Sequence, residues 1–404
     1  MQILFVATNL PVPPNNGQAI RSLAMIQALA SSGHGLSFLS FANTSRPENL
    51  DPLPILCRSI DLLELEMKNL TERTDYLQRL KCLSALKPYS VERFRSAAMR
   101  AKIQEKLTGG KYDLILCDGL YALANIPRST IPITLNCHNV EYIILQRYAQ
   151  LERNVLKKYY ARVESYLMRS AERDSCHRVA SAMVCSQIDL EILRRLRPDL
   201  SVFVVPNVID TDLIQPAERE HLRSTDPVLL FQGVMDWYPN RDAVEFFARA
   251  ILPRVRVECP DVKLIVAGRN PPNQFVEQFR SDRKIEFTGT VPDMRPYLAA
   301  ATLVIVPLRL GGGTRIKILE ACAACKPIVS TSVGAEGLDL EPGKEIILAD
   351  DPGEFARSVV NLLQHPARSE AVARAARAAV VERYSQVTLK RSLDAFISSW
   401  SLEA

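Results

Sequence analysis

The sequence contains no apolar run that approaches the roughly 20 residues needed to span a bilayer, although its 404 residues are 47% hydrophobic. Its opening segment, MQILFVATNLPVPP, also lacks the basic start and the small-residue cleavage site of a signal peptide. We therefore expect a first β-strand at this position and a cytoplasmic protein.

Cysteine follows no pattern that indicates a disulfide framework. The nine cysteines are odd in number and lie inside apolar runs, which favours a reducing compartment. Cys322 and Cys325 form a CxxC, which could be redox-active or could bind a metal. No second CxxC accompanies this pair, and it lies in an alanine-rich helical run, so we expect inert helix packing and no metal site.

Neither sign of charge dominates the chain, since 50 Lys and Arg against 45 Asp and Glu give a formal net charge of +5. The excess lies in residues 1–206, where 26 basic and 19 acidic residues give +7 and leave −2 for the remainder. A basic half attracts phosphates, anionic lipid or nucleic acid. Because nucleic-acid-binding motifs and interleaved aromatics are missing, we expect no nucleic-acid partner.

Segment 66–111 is rich in basic residues, with 11 Lys and Arg against five acidic residues, and carries short apolar clusters. We interpret it as helical insertions in the first half of the chain. Two interpretations stay open: a solvated helical face, or a site that binds an acceptor or an anionic membrane surface.

What the sequence does contain is one pattern repeated in two halves, long enough for two domains of roughly 200 residues each. In the first half, a helix at about 19–31 and its successors alternate with apolar strands at 3–7, from 35 onward, 113–118, 133–137, 182–186 and 202–206. In the second half, strands are predicted at 228–233, 262–268, 285–289, 303–307, 327–331 and 345–349. Apolar strands alternating with amphipathic helices are typical of parallel sheets covered on both faces.

We therefore predict an α/β protein with two doubly wound units and a boundary near Pro206-Asn207. Ligands of such sheets bind beyond the carboxyl ends of the strands, so two facing sheets predict a cleft between the domains.

The stretch from Pro307 to Leu338, PLRLGGGTRIKILEACAACKPIVSTSVGAEGL, carries the strongest chemical signal. A glycine run, Gly311 to Gly313, precedes Thr314, which we predict to be the N-cap of a helix. Free N–H groups at such a helix start suit a diphosphate. Arg315 and Lys317 lie in the first turn, where the helix dipole disfavours cations, and their presence indicates a bound anion.

Glu320 lies further along in an otherwise apolar helix. A carboxylate at this place can accept hydrogen bonds from vicinal hydroxyls, as in the recognition of a nucleotide ribose. The alternative is a simple helix charge paired with Lys317, three residues earlier.

This stretch resembles the donor site of the large retaining GT-B glycosyltransferase family that includes sucrose synthase and bacterial mannosyl- and glucosyltransferases. The family usually carries two Glu residues separated by seven others, before A-x-x-x-x-P-V/I-V-x-T. Glu320 matches the second Glu, and Ala321 to Thr331 match the rest of this pattern, while Gly312 stands where the first Glu is usual. The form GxGTRxKxxEA resembles a branch found among polysaccharide-synthesis enzymes.

The resemblance implies a GT-B fold, with two Rossmann-like domains facing across a cleft. The first, residues 1–206 with a C-terminal helix at 386–404 that crosses back, would bind the acceptor, and the second, residues 207–385, would bind the donor. It implies transfer of a hexosyl group from a nucleotide-sugar to a saccharide or lipid-linked acceptor, with retention and without a metal or other cofactor. Apolar residues at helical spacing support the terminal helix at Leu389, Leu393, Phe396 and Ile397.

Several further residues take their expected roles from this resemblance. Gly17 resembles the first-loop glycine that approaches the donor diphosphate, and His138, in CHNVE, matches a histidine near the donor sugar. Val291, in TGTVPD, would lie beside the base. Gly312 and Gly313, with Thr314, would form the donor loop.

The stretch GVMDWYPNRDAVEFF departs from the family. After Gly233, a donor-site glycine, relatives carry Arg and then Lys, whereas this chain has Val234 and, near the lysine position, Asn240-Arg241. We hypothesise that Arg315 and Lys317 supply the missing charge, with help from Arg241. His138, Arg315 and Lys317 are therefore the predicted catalytic residues.

Two other functions remain open at this stage. A sugar-nucleotide epimerase on the same scaffold would need a pair of carboxylates poised for proton or elimination chemistry, and the sequence shows no such pair. A hinged binding protein without catalysis would normally be exported. For the acceptor, we favour a lipid-linked saccharide at the inner face of the plasma membrane, with segment 66–111 as a peripheral contact to anionic lipid.

Overall fold

The computed structural model describes residues 1–42, 49–65, 72–216 and 226–401. The chain divides into two compact units, Met1–Pro206 with the chain from Leu389 onward, and Asn207–Thr388. Each unit is built on one sheet of parallel strands.

The sheet of the first unit has seven strands in the order β3-β2-β1-β4-β5-β6-β7. The strands are β1 (Gln2–Ala7), β2 (Gly35–Ala42), β3 (Ser59–Glu64), β4 (Leu114–Asp118), β5 (Ile133–Asn136), β6 (Ser181–Val184) and β7 (Ser201–Val204). Strands β2 and β3 follow on one side of β1, and β4 to β7 follow on the other side, as in doubly wound folds.

Central strands of this sheet are apolar along their length because helices cover both faces. Residues Ile3 to Ala7 and Leu114 to Asp118 are buried, and the strands predicted from apolar runs are confirmed. The sequence pattern missed β3, an edge strand whose residues are mostly half-buried. Its polar residues interrupt the apolar run on which the prediction depended.

The helices of the first unit before its terminal helix are α1 (Gly17–Ser31), α2 (Leu53–Leu56), α3 (Glu72–Ser84), α4 (Tyr89–Glu92), α5 (Ala97–Gly109), α6 (Leu120–Leu123), α7 (Glu141–Leu151), α8 (Val155–Cys176) and α9 (Gln187–Leu196). In segment 66–111, residues 66–71 lie outside the described residues, and the rest is helical as predicted in α3 to α5. However, α5 lies between β3 and β4 in the chain and buries Met99 and Ile103 in the core of this unit. It is therefore a regular crossover helix and not an insertion.

The C-terminal helix, α18 (Gln386–Ser401), belongs to the first unit from Leu389 onward. Phe396 is fully buried and meets Phe203 of β7 edge-on, with ring centroids 5.1 Å apart. Lys390 Nζ and Asp394 Oδ1 each lie within 2.7 Å of Ser32 Oγ, just after α1. The helix therefore completes one face of this unit.

The sheet of the second unit has six strands in the order β10-β9-β8-β11-β12-β13. They are β8 (Val228–Gln232), β9 (Lys263–Ala267), β10 (Ile285–Gly289), β11 (Leu303–Val306), β12 (Ile328–Ser330) and β13 (Ile347–Leu348). All six predicted strands are present.

The helices of the second unit are α10 (Tyr238–Phe246), α11 (Leu252–Glu258), α12 (Asn273–Glu277), α13 (Arg295–Ala300), α14 (Ile316–Ala323), α15 (Ser332–Ala335), α16 (Pro352–Gln364) and α17 (Pro366–Arg383). A π-helical turn, Phe247–Ile251, joins α10 to α11. In the part of the chain that the structure describes, no helix combines the length and apolar composition that a bilayer crossing demands.

We expect Phe396→Ala to destabilise the protein by about 3–5 kcal/mol, because it removes a fully buried ring and leaves a cavity. Urea unfolding measures the effect. Val387→Ala, an exposed position on the same helix, is the matched control and should be nearly neutral. Equal effects of the two substitutions would contradict the packing of α18 described above.

Candidate functional site

The glycine run after β11 forms a loop that glycine alone adopts readily. Gly311 has a φ of 140° and Gly313 a φ of 62°, both in the region that side chains disfavour. The buried guanidinium of Arg315 donates hydrogen bonds to the carbonyls of Gly312 and Gly313, and to that of Val333 at 3.2 Å. Arg315 thus folds the loop around its own side chain.

The helix α14 begins one residue later than the sequence indicated. Arg315 occupies the N-cap position with extended dihedral angles and makes no side-chain capping hydrogen bond. The prediction that Thr314 caps the helix is wrong, because its Oγ1 accepts a hydrogen bond from Asn207 Nδ2 at 2.6 Å instead. No N-cap side chain therefore bonds to the first N–H groups of α14. Such N–H groups suit the binding of an anion.

Lys317 and Glu320 of α14 meet the carboxyl end of β8. Gln232, the last residue of β8, donates from Nε2 to Glu320 Oε2 at 2.7 Å and to the Lys317 carbonyl at 3.1 Å. Lys317 Nζ donates to Asn240 Oδ1 of α10 at 2.8 Å and lies 4.4 Å from the ring centroid of Phe231. Three elements, β8, α10 and α14, thus bring a cation and a carboxylate to one place.

Gly233 is needed at this junction because the space for a side chain is taken. A Cβ at Gly233 would lie 2.8 Å from Lys317 Nζ and 2.7 Å from Asn240 Nδ2. At Gly268, a Cβ would lie 1.8 Å from the Gly233 carbonyl oxygen, closer than any real contact. The chain can therefore pass closely after β8 and β9 only with glycine at both positions.

The pKa values of Lys317 and Glu320 are both shifted toward neutral pH. Burial lowers the pKa of Lys317 to about 7, and repulsion from Arg315 adds to this effect, while Glu320 opposes it. Burial raises the pKa of Glu320 to about 7, against the attraction of Lys317 and the hydrogen bond from Gln232. A bound anion would favour the charged form of Lys317.

Two other predicted residues of this unit are Arg241 and Val291. Arg241 Nη1 donates to the carbonyls of Met235 at 2.8 Å and Asp236 at 2.7 Å, and so holds the loop after β8. Val291 lies half-buried in the loop after β10, two strands away from β8 in the sheet. The structure therefore brings together Gly233, Lys317 and Glu320, but shows no such contact for Val291.

A second polar cluster lies in the first unit, where β4 and β5 end side by side with Asp118 opposite Asn136. The fully buried Asp118 accepts a hydrogen bond from Asn136 Nδ2 at 2.6 Å. His138 Nε2 lies 2.9 Å from Asp118 Oδ1, and Ser22 Oγ lies 2.6 Å from Oδ2. The predicted His138 is therefore held by a buried carboxylate.

Arg21 of α1 extends this cluster behind Asn136. Its side chain is buried, donates twice to Asn136 Oδ1 at 2.8 and 3.0 Å, and donates to the Val205 carbonyl at 2.7 Å. Burial alone would raise the pKa of Asp118, but His138, Ser22 and Asn136 outweigh it and lower that pKa. The carboxylate is therefore anionic and orients His138.

Gly17 is the first residue of α1, the helix that also supplies Arg21 and Ser22 to the cluster. It is exposed, and Asn16 before it caps the helix by accepting from the Ala19 N–H at 3.0 Å. The structure thus places Gly17 and His138 in the same unit, on elements joined by one hydrogen-bond network.

Two carboxylates, the half-buried Glu141 and the buried Glu172, lie beyond His138 at the start of α7. Glu172 accepts hydrogen bonds from the N–H groups of Glu141 at 2.8 Å and Tyr142 at 3.1 Å, and so caps α7. Burial, with repulsion from Glu141, raises the pKa of Glu172 to about 8, and burial also raises the pKa of Glu141. Glu172 is therefore committed to the helix start.

Sequence reasoning missed three members of these clusters, Asp118, Asn136 and Gln232. Each is a polar residue at the carboxyl end of an apolar strand. That position is the available signal, because such side chains gather at one edge of a parallel sheet.

Comparisons with known families agree with both units. The model described as Glycosyltransferase Family 4 matches residues 15–213. The model described as Glycosyl transferases group 1 matches residues 226–365. An uncharacterized 44.6 kDa protein in the cps region of Klebsiella pneumoniae is 23% identical over 372 residues, which cover 89% of this chain and 90% of that protein.

Solved structures resemble this fold along its whole length. Sucrose-phosphate synthase from Thermosynechococcus elongatus gives a TM-score of 0.74 at 17% identity, with 100% of both chains covered. Anabaena HepE, solved in complex with UDP and glucose, gives 0.65 at 15% identity, covering 99% of this chain and 100% of its own. These likenesses show that the two units form a GT-B fold.

We expect Asp118→Asn to cost about 3 kcal/mol of stability, because it leaves the buried Arg21 without its anionic counterpart. Urea unfolding tests this. Asp199→Asn is the control, since Asp199 pairs with Arg197 at the surface and should contribute less than about 1 kcal/mol. An Asp118→Asn variant as stable as the Asp199→Asn variant would contradict the proposed charge balance.

Proposed function

We propose that this chain, a glycosyltransferase of the GT-B type as its family matches and fold support, transfers a hexosyl group from a nucleoside diphosphate sugar. The acceptor is a saccharide or a lipid-linked saccharide, in the synthesis of a cell-surface polysaccharide or glycoconjugate. The observation that carries this proposal is the junction of Lys317, Glu320 and Gly233 at the carboxyl end of β8.

The donor diphosphate is proposed to bind at the start of α14 beside Lys317. Arg315 and Arg241 were expected to share this task, but the guanidinium groups of both donate to backbone carbonyls of adjacent loops. Lys317 differs, because its ammonium contacts a side chain, that of Asn240. The ammonium lies in the space that a side chain at Gly233 would occupy. We propose that Lys317 neutralises the diphosphate and that Arg315 and Arg241 hold the loops that surround it.

The nucleoside is proposed to bind through Glu320, whose carboxylate accepts hydrogen bonds from the ribose hydroxyls. Gln232 supports this role, because its Nε2 fixes one Glu320 oxygen. The buried Oε1 of Gln232 has no hydrogen-bond partner among the described residues. An unmet buried acceptor costs about 1–3 kcal/mol, which a ligand donor can recover. Because HepE was solved in complex with UDP, we propose a uridine nucleotide for the donor of this chain. Its base would lie beside Val291.

Catalysis is proposed to rest on stabilising the leaving nucleoside diphosphate, whose negative charge grows as the C1–O bond breaks. A preorganised ammonium and backbone N–H groups aimed at this charge supply the main effect. The family resemblance implies that His138, which Asp118 holds, acts near the donor sugar and that Gly17 approaches the donor diphosphate. Retention at the anomeric carbon and independence of metal ions and cofactors belong to the same proposal, and activity in excess chelator tests the latter.

The enzyme is proposed to work in the cytoplasm, at the inner face of the plasma membrane, where a lipid-linked acceptor would be presented. The basic segment 66–111 and the +7 charge of residues 1–206 favour a peripheral contact with anionic lipid.

An epimerase is the second candidate, because the carboxylates of Glu141 and Glu172 lie close enough to repel each other. Both oxygens of Glu172 accept backbone N–H groups of α7, however, which leaves it a helix cap. Release of UDP that depends on an added acceptor would identify a transferase. Conversion of the donor to another UDP-sugar without acceptor would identify the epimerase, and binding without turnover would identify a non-catalytic protein.

We expect Lys317→Ala to weaken UDP binding about 10- to 150-fold, because a hydrogen bond to a charged group contributes roughly 1.5–3 kcal/mol. Melting temperatures measured with UDP, GDP, ADP and dTDP show which nucleotide binds, since a ligand of the folded state raises the melting temperature.

Arg315→Ala should cut turnover strongly while the fold survives, because the glycine loop loses its internal contacts.

The matched control for Lys317→Ala is Lys344→Ala, an exposed lysine of the same unit that pairs only at the surface with Glu341. It should bind UDP as the wild type does. A folded Lys317→Ala variant with wild-type UDP affinity and turnover would contradict the proposed donor site.

We expect the affinity for UDP-glucose to be greatest near pH 7 and to fall on both sides. Above this pH, Lys317 loses its proton and its charge, since its pKa is lowered to about 7. Below it, Glu320 is protonated and accepts hydrogen bonds poorly, since its pKa is raised to about 7. Calorimetric titrations across the pH range measure both limbs, and UDP-glucose is suitable because its diphosphate does not titrate there.

Two variants separate the limbs of this profile. Lys317→Arg should lose the alkaline decline, because arginine stays charged. Glu320→Gln should lose the acid decline and bind more weakly at neutral pH. Profiles that keep the wild-type shape in both variants would assign the pH dependence to other groups.

A further inference from the structure

The outward surface of α8 carries a row of exposed aromatic, aliphatic and arginine side chains. The residues of this row follow helical spacing and are Val155, Tyr159, Arg162, Tyr166, Arg169 and Arg173. We call this row, together with Leu156, the α8 outer face. Leu156 is 82% exposed, Val155 77% and Tyr166 73%. Large apolar side chains exposed singly are ordinary, but a contiguous row rimmed by charge marks an interaction surface.

Charge on this part of α8 is sorted by face. The basic residues between 153 and 173 are Arg153, Lys157, Lys158, Arg162, Arg169 and Arg173. The two acidic residues of the same stretch, Glu164 and Glu172, are buried. Glu164 accepts from the N–H of Ser90 at 3.0 Å, and Glu172 caps α7. The exposed charge of this stretch is therefore entirely positive.

Basic side chains of segment 66–111 are neutralised in part. Arg79, Arg95, Lys102 and Lys106 each lie within 3.3 Å of an Asp or Glu oxygen. Along α8, the ion pairs seen among the described residues are limited to Arg173 with Asp174, at 3.8 Å. The positive charges of Lys157, Lys158, Arg162 and Arg169 on α8 are thus not offset by an ion pair among the described residues.

The apolar residues of the α8 outer face lie at the tip of a helical hairpin. The helix α7 ends at Leu151, and α8 begins at Val155 after a turn of three residues. Leu151, Val155 and Leu156 are all exposed at this tip. The guanidinium of Arg79 in α3 lies 5.9 Å from the ring of Tyr160, so α3 adjoins α8. It adds further exposed apolar residues, Tyr76, Leu77 and Leu80.

We propose that the α8 outer face binds the surface of a bilayer that contains anionic lipid. Aliphatic side chains at the hairpin tip would enter the boundary between headgroups and acyl chains. Tyrosines suit the headgroup level, and the arginines and lysines suit lipid phosphates. This proposal refines the membrane contact of the proposed function, moving it from segment 66–111 to α8, and does not depend on donor binding.

Other occupants fit the α8 outer face less well. A second copy of the chain would bring like charges together, which opposes association. A single-stranded nucleic acid could stack bases on the exposed rings of Tyr159 and Tyr166, but it offers no apolar partner to Val155 and Leu156, the most exposed apolar members of the face.

Flotation with vesicles of phosphatidylcholine, with and without phosphatidylglycerol, tests the proposal. The wild type should float with the anionic vesicles, and high salt should release much of it. The variant Leu156→Ser with Tyr159→Ser should lose most of this binding. Replacing Arg162 by Gln should weaken it about fivefold, the effect expected for one charge near the surface.

The matched control combines Val257→Ser with Arg254→Gln, an equally exposed apolar and basic pair on α11 of the second unit. It should float as the wild type does. All variants should keep the UDP-induced rise in melting temperature of the wild type, so that loss of flotation is distinguished from loss of fold or donor binding.

Several results would overturn the proposal. A wild-type protein that stays at the bottom of the gradient with anionic vesicles would do so, as would equal flotation of the Leu156→Ser/Tyr159→Ser variant. A dimer in gel filtration that this variant abolishes, without flotation, would assign the surface to a second copy. Binding to single-stranded RNA in place of vesicles would assign it to nucleic acid.

Discussion

The second unit depends on a partly buried ammonium, that of Lys317, held among an amide, an aromatic ring and a carboxylate. Burying a charge is costly unless partners replace its hydration, and here they do so only in part, because the pKa of Lys317 falls to about 7. Asn240 supplies an acceptor, but Arg315 opposes the charge. The donor diphosphate that we propose to bind here would supply the missing negative charge.

The first unit solves the same problem differently. Its buried cation, Arg21, and buried anion, Asp118, are bridged by Asn136, so their charges balance within the protein. Such a closed network gains little from an added anion and instead fixes geometry, here the orientation of His138. Both clusters lie at the carboxyl ends of parallel strands, where apolar strand interiors give way to polar side chains.

Periodicity predicted the strands, the glycine loop and the place of Glu320, because these depend on residues close in sequence. It could not predict which partner a polar group chooses. Thr314 has the chemistry of an N-cap, but its oxygen is claimed by Asn207, 107 residues earlier. Arg315 was expected to face a phosphate because its position on the helix suggested this, whereas the carbonyls of its own loop bind it. Edge strand β3 lacked the continuous apolar run of the central strands.

Charge counts fail for a related reason, since they ignore where each charge points. A helix with 3.6 residues per turn presents its residues to different neighbours. In α8, Glu164 and Glu172 point inward and bind backbone N–H groups, while Asp174 stays at the surface beside Arg173. The arginines and lysines between 153 and 173 remain at the surface of this stretch. The burial of these two glutamates at neighbouring helix starts thus leaves this part of α8 with a positive surface. The exposed aliphatic residues at the hairpin tip add the apolar contact on which the proposed lipid binding rests.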